Sequence, residues 1–149
     1  MRFENSILIH RPIEEVFNFV ADFENMPKWN YFVVNVAKTS AGPVGVGTTY
    51  HQIRQSDEQD YKITVFEPNR AVAMHVTSGT DLFMHFTFES DGSATRLTDT
   101  WELATGLNRL LDGIARFRIK AAVAANPAKL KELLETGQVQ LQDGRVVTL

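Results

Sequence analysis

The chain has 149 residues, 44% hydrophobic and 22% charged, with fifteen Lys and Arg against eighteen Asp and Glu for a net charge of −3. This length suits one domain burying roughly 70% of its unfolded surface, the composition excludes a disordered chain, and the acidic balance argues against a coat for duplex nucleic acid. The absence of cysteine excludes disulfides, thiolate nucleophiles, iron–sulfur ligation and Cys-based zinc sites, and no apolar run approaches the ~20 residues that cross a bilayer.

The N-terminus lacks a signal peptide's apolar stretch, so the expected setting is cytoplasmic, with no integral membrane segment and no nucleic-acid partner. Residues 3–10 read as a first strand centred on Ile7, Leu8 and Ile9. Arg11-Pro12 opens a helix whose Glu14 and Glu15 suit its positive end and whose Val16, Phe17, Phe19 and Val20 form an apolar stripe. Residues 22–29 form a second short helix or turn, interrupted at Met26-Pro27. Strands then follow over 32–40, 48–55, 61–67, 71–77, 82–89 and 95–103, separated by Gly-, Pro- and Asn-rich turns too short for parallel crossovers. After Gly106 the period becomes helical, with Leu107, Leu110, Leu111, Ile114, Phe117, Ala121 and Ala125 on one stripe. Asn126-Pro127 caps and restarts this helix or kinks it, and Gly137 caps its end. Residues 138–149 read as a small hairpin about Asp143-Gly144, outside a single domain of residues 1–137. A lone hairpin is marginal in water, so it packs on the body or on a second copy in a homodimer.

Strand parity defines the faces, because a slip of one residue inverts every side chain. With Asp91-Gly92 as the turn, Phe88 faces Thr95, Phe86 faces Leu97, Met84 faces Asp99 and Leu82 faces Trp101 on one side. With Pro68-Asn69 as the turn, Val65 faces Val72, Ile63 faces Met74 and Tyr61 faces Val76. A loop of odd length, such as Gly79-Thr80-Asp81, brings both apolar faces to one side. That face needs a cover, and the C-terminal helix is the element long enough to supply it. The interior is either filled or a pocket for an apolar ligand; the candidate ligand contacts are Tyr50, Tyr61, Ile63, Met74, Val76, Met84, Phe86, Phe88, Leu97, Trp101, Ile114 and Phe117. The alternative assigns the same side chains to an ordinary core.

The opening ILIHRPIEEVFNFVADFENMPKWN, the stretch VGVGTTYHQ and the ending TRLTDTWELATGLNRLLDGIARFRIKAAVAANPAKLKELLETG resemble the START/polyketide-cyclase-like (SRPBCC) superfamily, of the polyketide cyclase/dehydrase and lipid-transport type. The resemblance covers residues 1–137. It implies an α+β helix-grip fold, in which seven antiparallel strands curve around a long C-terminal helix with two short helices after the first strand. Members bind lipids, sterols, quinones, polyketides and plant hormones, and some are cyclases or dehydratases. Fold alone does not assign chemistry.

Asp99 is the most informative polar residue, since parity puts it on the apolar face, where burial raises a carboxyl's pKa toward use as a general acid or base. The competing reading has it accept bonds from Tyr61, a loop N–H or water. One turn length before Tyr61 sends Tyr50, Gln52 and Arg54 inward and the other sends Thr49, His51 and Ile53; the first is preferred, because Tyr50 suits a half-buried face. Arg54 then pairs with Asp99 or meets a ligand carboxylate. His75 and His85 fall opposite each other on the outer face, two imidazoles where zinc needs three or four ligands, so no metal and no cofactor are expected. The GPVGVG stretch lacks a P-loop's Lys-Ser/Thr and joins two strands, which makes it a mobile loop at a pocket mouth. Three readings follow: a binder or carrier of a small hydrophobic molecule (lipid, quinone or polyketide-like); a cyclase or dehydratase using Asp99 aided by Tyr50 or Arg54; and an interaction module acting through the tail.

Overall fold

The computed structural model describes residues 2–79, 81–103 and 109–149, with the backbone alone over 109–120 and at 122 and 123. β1 (Arg2–Ile9) leads into α1 (Ile13–Ala21) and a 3-10 helix (Phe23–Lys28); β2 (Val33–Lys38), β3 (Thr49–Arg54), β4 (Glu58–Glu67), β5 (Ala71–Val76), β6 (Leu82–Asp91) and β7 (Ala94–Leu103) follow. α2 (Arg109–Thr136) and a hairpin of β8 (Gln138–Gln140) and β9 (Val146–Thr148) complete the chain. The seven long strands form one antiparallel sheet in the order β1-β7-β6-β5-β4-β3-β2, curled around α2 in an α+β helix-grip fold. Among the described residues no helix is long and apolar enough to cross a membrane.

Pro12 stands at the N-cap of α1, one residue before the helix, where its fixed φ of −60° directs the chain into the first turn. Val16, Phe17, Val20 and Ala21 are buried, and Phe17 meets Phe66 and Phe88 edge-on at 5.5 and 5.1 Å. Met26-Pro27 does not interrupt the next helix: Pro27 lies inside the 3-10 turn, whose start is fixed by Asp22 accepting from the Glu24 N–H at 3.2 Å.

The alternation on β6 holds throughout, with Leu82, Met84, Phe86 and Phe88 buried and Phe83 and His85 outside. Register differs from the expectation by two residues. The turn is Gly92-Ser93, with Asp91 opposite Ala94, so Phe88 faces Leu97, Phe86 faces Asp99 and Met84 faces Trp101. Gly92 takes φ +62°, the left-handed backbone that favours glycine at the first central position of a hairpin turn. A shift of two leaves parity intact, so the faces agree with the expectation although the pairs do not.

On β4 the expected pairs Ile63–Met74 and Tyr61–Val76 are present, but Val65 faces Ala73 and not Val72. A bulge between Ile63 and Val65 adds one residue to the strand, turning Val65 outward and Phe66 in toward Phe17. The turn that follows has Pro68 and then Asn69 at φ +60°, closed by the Arg70 N–H donating to the Glu67 carbonyl at 3.0 Å. The β5–β6 loop spans residues 77–81, an odd number, and both hairpins turn their apolar faces to the same side.

α2 runs unbroken through Pro127, neither restarting nor ending at Asn126. Leu130, Leu133 and Leu134 enter the core, and Gly137 at φ +80° caps the helix, its N–H donating to the Leu133 carbonyl at 2.8 Å. Of the expected stripe, Ala121 is exposed and Ala125 half-buried, while the side chains of 107, 110, 111, 114 and 117 lie outside the described residues. The tail hairpin packs on its own body. Val139 and Leu141 are buried in the common core, and Arg145 Nη2 donates to the Pro27 carbonyl at 3.1 Å.

Candidate ligand-binding site

A cavity of about 240 Å³ lies between the concave sheet face and α2. Its apolar wall comes from inward positions of neighbouring strands: Met74 and Val76 on β5, Leu82 and Met84 on β6, Trp101 on β7. Met26 of the 3-10 helix, with Phe32 and Val33 where β2 begins, closes one side. The polar lining is Asn30, Gln52 and Arg54 on β3, Gln59 and Tyr61 on β4, and Asn126 on α2. Because β3 and β4 alternate, Gln52 and Gln59 are direct cross-strand partners on the concave face, as are Tyr50 and Tyr61.

Apart from the half-buried Arg54, these polar groups are buried, and several are incompletely bonded. Asn30 Oδ1 accepts from the Phe32 N–H at 3.1 Å, whereas Gln52 Oε1, Asn126 Oδ1 and the hydroxyls of Tyr50 and Tyr61 have no partner among the described residues. The two phenol rings stack at 5.3 Å. Burial, then the charges of Asp22 and Glu24, pushes the Tyr50 phenol up to about 12. Burial drives Tyr61 higher still, so both remain protonated donors at physiological pH. Arg54 does not pair with Asp99: its Nε and Nη2 donate to the two carboxylate oxygens of Asp57 at 2.6 Å each, which holds the Asp57 carboxyl below its usual range.

Asp99 is buried opposite Phe86, not Met84, and lies against a second cavity of only about 10 Å³ beside Trp29, Pro127 and Leu130. Its Oδ2 accepts from the indole N–H of Trp101 at 3.0 Å, and its Oδ1 has no partner among the described residues. Burial raises its pKa, opposed first by the Trp101 hydrogen bond and then by Asn5 alongside it on β1. Neither Tyr61 nor a loop N–H fills the role expected of them; the partner is the residue two along on the same strand face.

Of the candidate contacts, Tyr61, Met74, Val76, Met84 and Trp101 line the large cavity, while Phe86 and Leu97 line the small one. Tyr50, Ile63 and Phe88 are buried in the core, with Tyr50 against Phe23 and Phe88 against Phe17. The side chains of Ile114 and Phe117 lie outside the described residues. Sequence reasoning misses Met26, Asn30, Phe32, Val33, Leu82, Gln59 and Asn126 as lining groups. It leaves Gln59 in a turn, although β4 starts at Glu58 and the alternation from Tyr61 extends back to it.

Features outside the cavity differ from expectation. His75 faces Phe83, stacked at 4.0 Å, and its Nε2 donates to Asp81 Oδ1 at 2.7 Å, while His85 faces Ala73, so the two imidazoles are not opposed. Among the described residues no group of three or more His, Asp or Glu is placed to hold a metal ion. The glycine-rich β2–β3 loop does not line the cavity; it is tied down by Gly47 N–H donating to the Ile63 carbonyl at 2.9 Å and Gly45 N–H donating to Thr48 Oγ1 at 2.9 Å.

The model of the family described as polyketide cyclase / dehydrase and lipid transport matches residues 1–135. No curated protein matches the chain significantly in sequence. Among solved structures, the Aha1 dimer from Colwellia psychrerythraea superposes with a TM-score of 0.69 at 19% identity, over 92% of this chain and 98% of that one. TTHA0849 from Thermus thermophilus gives 0.74 at 14% identity, over 90% and 97%. DynU16, a protein in the dynemicin biosynthetic locus, gives 0.70 at 19% identity, over 91% of this chain and 48% of that one. At these identities the structural likeness shows the fold alone.

Proposed function

The chain belongs to the polyketide cyclase / dehydrase and lipid transport family, and from that premise we propose that it binds one small, largely apolar molecule between its sheet and α2. The observation that carries the proposal is the cavity: apolar on the β5–β7 side, amide-lined on the β3–β4 side, with buried polar atoms left unbonded inside it. Such atoms are costly in a closed core and are completed when a ligand or water bonds them. Every ~100 Å² of apolar ligand surface removed from water contributes about 2.5 kcal/mol. The cysteine-free composition supports a reducing, cytoplasmic setting.

A second reading, acid–base chemistry of the cyclase or dehydratase kind, is favoured by the raised pKa of the Asp99 carboxyl. Binding takes precedence, because Asp99 borders the small cavity and not the large one, and its proton would have to travel past Trp101. Native mass spectrometry of freshly purified protein, followed by solvent extraction, tests the binding reading. A stoichiometric apolar adduct, lost in Met84→Trp, is expected. An apo mass together with no binding of added naphthalene or of its hydroxylated and methoxylated derivatives would refute it.

A further inference from the structure

We propose that the cavity selects an uncharged one- or two-ring molecule carrying a hydroxyl group, and that Gln52, Gln59 and Asn126 recognise that hydroxyl. The inference rests on the binding reading above and adds the size and polarity of the ligand. Gln52 and Gln59 lie side by side on adjacent strands, 6% and 5% exposed, and Asn126 lies on the opposite wall, 3% exposed. Carboxamides at such depth are ordinarily bonded at both ends. Among the described residues Gln52 Oε1 and Asn126 Oδ1 lack partners, as does the Tyr61 hydroxyl nearby. An amide oxygen can only accept, so whatever completes it must donate. A hydroxyl donates to one such oxygen and still accepts from the Tyr61 phenol. An ether, an alkyl chain or a ketone does not.

Charge and volume narrow the class further. Arg54 is the one charged side chain among the described lining residues, and Asp57 already occupies its guanidinium in two bonds of 2.6 Å. A carboxylate ligand would lose its hydration with no free cation among the described lining residues to replace it. An engineered apolar cavity of about 150 Å³ in another protein takes up benzene. The present 240 Å³ matches a second ring and its hydroxyl more closely than a sterol or a long acyl chain.

The test compares 2-naphthol, its methyl ether, naphthalene and 2-naphthoate by chemical-shift titration of wild type, Gln52→Met and Asn126→Leu. Wild type is expected to bind 2-naphthol about tenfold more tightly than the methyl ether or the carboxylate, the effect of leaving a buried acceptor unpaired. Both variants should narrow that preference to within about threefold, and a dispersed amide spectrum matching wild type away from the cavity reports that they are folded. Equal affinity for 2-naphthol and its ether, or tighter binding of 2-naphthoate, would overturn the inference and leave the binding reading standing. Failure of all four compounds to bind would remove the binding reading and this inference with it.

Discussion

Asp99→Asn should stabilise the protein at neutral pH, and the gain should vanish in acid. Asp99 is 6% exposed, lies between Phe86 on β6 and Asn5 on β1, and leaves Oδ1 unbonded while Oδ2 holds the Trp101 indole. Burial raises its folded pKa above the ordinary value of 3.8. A carboxyl so shifted binds its proton more tightly when folded, so its contribution is most favourable below the unfolded value and is lost as pH rises through the folded one. Asn has the shape of the protonated acid and keeps an acceptor for Trp101, so the variant escapes that loss. An unpaired buried polar atom costs about 1–3 kcal/mol, more when charged, and the exchanged amide leaves some of this in place. A gain of about 1–2 kcal/mol at about pH 7.5 is therefore expected. With a urea dependence of about 2 kcal/mol per molar, the midpoint rises by roughly 0.5–1 M. Urea titrations followed by tryptophan fluorescence at about pH 7.5 and about pH 3 measure it, the two proteins coinciding at the lower pH. A less stable variant at about pH 7.5, or an equal difference at both values, would refute the reasoning.

Three further predictions concern the edges of the domain. Leu141→Ala opens space under the tail hairpin, where Leu141 is 2% exposed, and should cost about 2–4 kcal/mol, or roughly 5–15 °C in Tm; an unchanged Tm would mean the hairpin is not seated on the core. Size-exclusion elution of Val146→Lys, exposed on β9, tests the tail as a homodimer contact: wild type should elute as the larger species and the variant as the smaller, and identical elution would refute the contact. His51 is half-buried, with Nδ1 2.8 Å from Asp60 Oδ1 and Nε2 3.2 Å from Glu58 Oε2, contacts that both favour the imidazolium. Its pKa is raised, chiefly by the Asp60 hydrogen bond, so its stabilising effect is complete below the ordinary value of 6.5 and is lost as pH rises through the folded one. An NMR titration should find the His51 pKa falling in Asp60→Asn; no change would show that the clamp does not form in solution.

The sheet is legible in the sequence because alternation survives an error of register. Reading Asp91-Gly92 as the turn in place of Gly92-Ser93 displaces every pair by two and moves no side chain to the other face. The bulge on β4 is not legible: nothing local to Lys62-Ile63-Thr64-Val65 marks an inserted residue, and only the fit of Phe66 against Phe17 on α1 explains it. The cavity is half legible for a related reason. Met74, Val76, Met84 and Trp101 announce themselves by parity, but Met26, Asn30 and Phe32 reach it from a segment with no period. Asn126 enters from a helix whose Asn-Pro step reads as a terminus until packing against the sheet carries the helix through it.

The pairing of β1 with β7 sets Arg2 against Glu102 and Ile9 against Thr95, whereas each strand from β2 to β7 pairs with its immediate neighbour in the chain. The six later strands can therefore zip as successive hairpins, each closing a short loop. β1 must wait for a partner more than eighty residues away, and the entropy of that closure is met only once β7 has a sheet to belong to. Recruitment of β1 is therefore expected to be the slow step of folding, with the Phe17–Phe88 contact of α1 expected to follow it. Mutations in β1 should slow the approach to the native state, while those in the β6–β7 hairpin should act on its nucleus.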